Sequence, residues 1–208
     1  LEQIEQSAQK KIIFIHAPAG YGKTTAVVQW IHAYSKSATW YAIDAGDNDL
    51  SRFLSYIVYG IGHLKTGVCQ TLLPLINSSD PPPTYVLLAQ LINDLNCLEQ
   101  RSTLVLDDYH LVSNQEIHSA FLYIIQHLPP NLQIVILSRS ELPFSISNLR
   151  LAGQISELNL FDLRFTPDDS EKFINTVLKL GLSKTNLIEL VKRTDGRVSG
   201  RQLAAMGM

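Results

Sequence analysis

Residues 12–25 read IIFIHAPAGYGKTT: a β-branched run breaks into a loop containing Pro18, Gly20 and Gly22, and helix-compatible sequence follows. A strand, a glycine-bearing loop and a helix in that order are the context a phosphate-binding P-loop requires. Glycine lets backbone N–H groups turn inward around a phosphate, and the N-terminal end of the helix adds positive potential at the same point. The candidate nucleotide-binding residues are therefore Ala19, Gly20, Tyr21, Gly22, Lys23, Thr24 and Thr25. Lys23 would reach the β- and γ-phosphates, and the Thr24 hydroxyl would ligate Mg²⁺. Ala17 stands where the strict motif has glycine, a replacement that works if the backbone there keeps ordinary dihedrals. The alternative is a glycine-rich turn with a solvated lysine.

Such a loop needs an acidic strand end opposite it, because Mg²⁺ takes oxygen ligands. LVLDD at 104–108 supplies one. Asp107 would hold the metal, through water, and Asp108 would orient or deprotonate an attacking water. The bland alternative is a pair of turn aspartates after a buried strand. Arg139 follows the strand at 132–138, at the carboxyl edge where ligands collect in open α/β sheets, and could meet a γ-phosphate; a surface salt bridge is its alternative. Arg150 is a second candidate of the same kind. His110 reads either as a contact to the site or as a turn or surface histidine, Trp30 and Trp40 as core, and Tyr21 as either a shield over the nucleotide or a solvent-facing side chain.

Around these motifs the pattern alternates strand and helix, which implies a parallel sheet. Strands are expected at 12–16, 38–43, 103–107, 132–138 and about 154–160. Helices are expected at 23–35, at 49–64 with Asp47, Asn48 and Asp49 supplying caps, and after Pro81–Pro83 with Thr84 as cap. A further helix should start from a Ser113/Glu116 capping box and stop at Pro129-Pro130. Past about residue 165 the character changes: Thr166-Pro167-Asp168-Asp169 starts a helix, and no more strands are expected. The reading is a nucleotide-binding α/β domain over 1–165 and a small helical lid over 166–208.

The 208 residues carry 17 Lys and Arg against 19 Asp and Glu, a net charge of −2, so no global basic field draws in nucleic acid, and direct DNA binding by this segment is not expected. With 46% hydrophobic and 17% charged residues the composition is globular. Two cysteines, Cys69 and Cys97, support neither a disulfide framework nor a structural metal. No apolar run is long enough to span a membrane and the amino end is unlike a signal peptide, so a cytoplasmic protein is expected. A start on Leu1 and an end within helix-like sequence read as an excised domain.

APAGYGKTT at 17–25, WYAIDAGDNDLSRFLSYIV at 40–58, LVLDDYHLV at 104–112 and LSRSELPF at 137–144 together resemble the nucleotide-binding domain of MalT-like, LuxR-type transcriptional activators, within the STAND class of signal-transduction ATPases. SELNLFDLRFT at 156–166 and DGRVSGRQLAA at 195–205 extend the resemblance over nearly the whole chain. It implies a three-layer α/β/α sandwich with strand order 5-1-4-3-2, and an ATP/ADP switch with slow Mg²⁺-dependent hydrolysis that controls self-association. It also implies winged-helix, repeat-sensor and helix-turn-helix regions beyond this segment. Lys23 and Thr24 match the loop pair, Asp107 and Asp108 the acidic strand end, and Arg139 the arginine after the sensor strand. Gly196-Arg197 and Gly200-Arg201-Gln202 depart from the family's Gly-Trp and Gly-Leu-Gln. The rival readings are a nucleotide-binding interaction module without turnover and a small-molecule P-loop kinase.

Overall fold

The computed structural model describes residues 1–163, so the expected lid over 166–208 lies outside the described residues. Five strands form one parallel sheet: β1 (Ile12–His16), β2 (Ser37–Ala42), β3 (Ser102–Asp107), β4 (Leu132–Ser138) and β5 (Ile155–Leu158). Their order across the sheet is β2-β3-β4-β1-β5, the expected 5-1-4-3-2 read from the other side. Strands β3 and β4 are buried along their whole length, as near-continuous apolar runs in the middle of a parallel sheet must be.

Alternation along the strands builds two cores. Ile12, Phe14, Leu104, Leu106, Ile134 and Ile136 face one side, against α3 (Leu50–Leu64), α5 (Thr84–Leu95) and α6 (Gln115–Gln126). Ile13, Ile15, Val105, Val135 and Leu137 face the other, against α1 (Glu2–Gln6) and α2 (Lys23–Ala33), where Trp30 is fully buried. Trp40 packs against this second core only partly buried. Short helices α4 (Leu72–Ile76), α7 (Ser147–Leu151) and α8 (Leu160–Leu163) complete the described chain.

Three local expectations are corrected. Asn114, not Ser113, caps α6, its side chain accepting from the Glu116 N–H at 2.8 Å. Ser113 is diverted to Asn48, 65 residues away in sequence. Thr84 is the first residue of α5 rather than its cap, and Pro83 precedes it with no side-chain capping bond. Strand β5 stops at Leu158 because the Asn159 N–H donates to the Asp162 carboxylate and the Asn159 side chain accepts from the Phe161 N–H, both at 2.8 Å, which opens α8. Asp49 does cap α3, accepting from the Arg52 N–H at 2.8 Å.

Candidate functional site at the carboxyl edge

The loop between β1 and α2 turns on two left-handed glycines, Gly20 at φ 85° and Gly22 at φ 74°. An L side chain is disfavoured at both. Ala17 stays out of the left-handed region, which is why alanine is acceptable at the first position of the motif. Tyr21 is 3% exposed, which overturns the solvent-facing alternative for it. Lys23 opens α2 and is itself buried. Its Nζ donates to the Ala17 carbonyl at 2.7 Å and to the Pro18 carbonyl at 3.3 Å. The loop thus folds around its own lysine.

Opposite the loop, Asp107 ends β3 buried at 8% exposure. Its Oδ2 accepts from the Thr24 hydroxyl at 3.0 Å, and its Oδ1 accepts from the Asp108 N–H at 3.0 Å. The first of these bonds joins the loop to the acidic strand end. Asp108 takes a left-handed conformation, φ 59° and ψ 39°, and so turns its side chain out of the strand direction. Asp108 is one of three non-glycine residues with positive φ among those described. Strain of this kind persists where the surroundings over-determine it and clusters at functional sites.

Two more groups converge on Asp108. Arg139, just past β4, brings Nε to 3.8 Å from Asp108 Oδ1, and half of its side chain remains open to solvent. His110 brings Nδ1 to 3.6 Å from the same oxygen. That nitrogen is buried and, among the described residues, has no hydrogen-bond partner. The histidine left between two readings is therefore 16% exposed and faces the acid. Its spacing from the acidic pair in DDYH was the available signal; its burial was not visible locally. Arg150 is taken elsewhere: its Nε and Nη2 hold Glu157 at 2.6 and 2.7 Å, a bidentate pair tying α7 to β5.

Burial shifts the titrations. It depresses the Lys23 ammonium, a trend that Asp108 and Asp107 oppose and Arg139 reinforces. It raises the Asp107 carboxyl, with the Thr24 hydrogen bond pulling the other way and the neighbouring Asp108 adding to the rise. His110 is held below its ordinary range by burial, against the pull of Asp108. A lysine and two carboxylates at the end of a parallel sheet, each partly desolvated, are suited to an anion and a cation arriving together. Among the described residues no group of three or more His, Cys, Asp or Glu forms a metal cluster, so a metal here would depend on water and ligand oxygens as well.

Comparison with known proteins agrees with this geometry. The chain is 32% identical over 206 residues to the HTH-type transcriptional regulator MalT of Serratia proteamaculans (strain 568), a match that covers 99% of the chain and 23% of that protein. It spans about a quarter of the length of the curated relatives it matches. Among solved structures, Cdc6p from Pyrobaculum aerophilum matches with TM-score 0.57 and 16% identity, over 96% of this chain and 57% of that one. AMPPCP-bound DnaA from Aquifex aeolicus matches with TM-score 0.52 and 19% identity, over 97% and 57%. These likenesses show the fold alone, an α/β sandwich around a five-stranded parallel sheet. No protein-family model matches the chain.

Proposed function

From the premise that this chain is a relative of the MalT regulators along 99% of its length, we propose that it is the ATP/ADP-binding switch of a bacterial transcriptional regulator. In this reading it hydrolyses ATP slowly and controls self-association of the full-length protein. The observation that carries the proposal is the 3.0 Å bond from the Thr24 hydroxyl to Asp107, which joins a glycine-turned loop to an acidic strand end. DnaA, which shares the fold, was solved bound to AMPPCP, and this supports the same choice of ligand.

The donor set fits Mg²⁺ and a polyphosphate. Among the described residues the buried Lys23 ammonium donates to loop carbonyls, and the hydroxyl and carboxylate that would share a cation already meet each other. Bound Mg²⁺ would neutralise charge on the β- and γ-phosphates. The chain's own groups do the rest. Backbone N–H groups of Ala19–Thr25 cradle phosphate, and Lys23 exchanges its carbonyl partners for phosphate oxygens. Thr24 and Asp107 would hold the cation, Asp107 through water. Asp108 accepts the proton of the attacking water at its carboxylate, and Arg139 leaves Asp108 for the γ-phosphate. An arginine that meets a group present in ATP and missing from ADP gives the two nucleotides the differential affinity a switch requires. The lid over 166–208 and the partner regions of a longer chain belong to the same proposal, as does the absence of direct DNA binding by this segment.

Calorimetric titration with Mg²⁺ and ATP tests the reading. The wild-type protein should bind at one site, and Lys23→Ala should lose that binding because the charge facing the phosphates is gone. Equal affinity in the two proteins would remove the loop from the phosphate site.

A further inference from the structure

The DAGDND segment at 44–49 has a role beyond capping α3, and it centres on Asn48. The Asn48 side chain bridges two chain segments more than sixty residues apart. Its Oδ1 accepts from the Ser113 N–H at 2.6 Å, the Ser113 hydroxyl at 3.1 Å and the Asn114 N–H at 3.2 Å. Its Nδ2 donates to the Leu111 carbonyl at 2.9 Å and to the Ala45 carbonyl at 3.2 Å. Its backbone carbonyl accepts from the Asn114 side chain at 3.1 Å. One amide thus reads both a donor cluster and an acceptor on the 111–114 segment.

That segment is the far side of the turn that carries Asp108 and His110. The turn is closed by the Leu111 N–H donating to the Asp108 carbonyl at 3.0 Å and the Val112 N–H donating to the Tyr109 carbonyl at 3.1 Å. Asp108 holds its left-handed backbone at the near side. A non-glycine residue relaxes out of that region unless its flanks are fixed. Asp107, in the sheet, fixes one flank. Asn48, itself anchored by the 3-10 turn Ala45–Asp47, fixes the other; Asp47 is 2% exposed and pairs with Arg52 Nε at 2.7 Å.

We propose that Asn48 is a positioning residue that clamps the 108–114 turn and thereby holds the Asp108 carboxylate where His110 and Arg139 converge on it. The clamp acts through Asp108 and rests on the ATP-hydrolysis reading above. It also makes β2, at the sheet edge, part of the machinery: the register Ala42 to Asp107 places the 44–49 segment directly beside the acidic strand end.

The test is single-turnover hydrolysis of ATP by the full chain, with amide hydrogen exchange as a readout that needs no turnover. Asn48→Ala should slow hydrolysis about ten- to a hundredfold, the range expected for a displaced catalytic group, with ATP and ADP affinity within about threefold of wild type. Asn48→Asp keeps the acceptor but sets an oxygen against the Leu111 carbonyl, so it should rescue only part of the loss. In an Asp108→Asn background Asn48→Ala should cost nothing further, since the group it positions is already disabled. Amides of 108–114 should exchange faster in Asn48→Ala, while those of 12–27 do not change. Unchanged exchange at 108–114, or a loss that adds in full to that of Asp108→Asn, overturns the proposal. A wild-type protein that binds ATP without cleaving it defeats the hydrolysis reading instead, and the exchange comparison still decides whether Asn48 holds the turn.

Discussion

The two ends of the sheet are built from the same strands and treat polar groups in opposite ways. At the amino end Gln133, Arg101 and Asn131 spend their side chains on neighbouring backbone. Gln133, 2% exposed, donates Nε2 to the carbonyls of Ser7, Ala8 and Lys10 at 3.4, 3.1 and 2.8 Å. Arg101 holds the carbonyls of Pro130 and Lys10, and Asn131 holds that of Leu98. At the carboxyl end a lysine and a carboxylate are buried, Asp108 is left-handed, and among the described residues His110 Nδ1 has no hydrogen-bond partner. Backbone meets the polar groups at one end, and a buried nitrogen is left unmet at the other. Unmet electrostatic capacity gathered at one edge is the physical form of a site that waits for a ligand.

The contrast can be broken by substitution, and the largest effect falls on turnover. Asp108→Asn should retain ATP binding and slow single-turnover hydrolysis by about 10²–10⁴-fold, because an amide cannot take up a proton from water. Hydrolysis at the wild-type rate would make the strained aspartate structural. Next comes Arg139→Ala. Loss of one charge-assisted bond of about 1.5–3 kcal/mol should weaken ATP roughly ten- to a hundredfold and leave ADP nearly unchanged. Equal losses for both nucleotides would end its role as a γ-phosphate sensor.

A pair of variants then sets one end against the other on the stability scale. Gln133→Leu takes the side-chain donor from the Ala8 carbonyl and should cost about 1–3 kcal/mol in urea unfolding with nucleotide affinity unchanged. Asp107→Asn relieves a desolvated charge and should stabilise the ligand-free protein by about 0.5–2 kcal/mol while weakening Mg²⁺-dependent binding. Destabilisation in both variants would erase the difference between the two ends.

The smallest effect concerns acid. Burial lowers the titration of His118, whose Nδ1 lies 3.1 Å from the Tyr109 hydroxyl, and it lowers that of His110 as well. Folding therefore favours the neutral imidazoles. Their stability contribution is complete above the unfolded value near 6.5 and is lost as pH falls below it. Urea midpoints at pH 7.5 and 5.5 should show the wild type losing more than His118→Gln, which keeps a hydrogen-bonding group and does not titrate. Identical losses would remove His118 from the acid response.

How far the sequence carried this account differs by element. Strands β1, β3 and β4 were legible because their residues are apolar on both faces, and the loop at 17–25 because glycine and lysine sit at fixed offsets after a strand. The end of β5 was misread although Asn159 and Asp162 stand at capping-box spacing, a local signal that a strand pattern overran. Ser113 could not have been read correctly: its hydroxyl goes to Asn48, a tertiary partner that competes with local capping. His110 was left between two readings for the same reason, since its burial depends on how the turn after β3 packs. Asp107 and Lys23 were placed from motif spacing alone, while the left-handed turn at Asp108 and the Asn48 clamp needed coordinates.

Amide hydrogen exchange with and without Mg²⁺ and ATP tests the asymmetry of the two ends most directly. Saturating ligand should slow exchange across 17–25 and 107–112 and leave 7–11, 100–102 and 131–133 as they were. Protection spread evenly over both ends, or none at 17–25, would contradict the account.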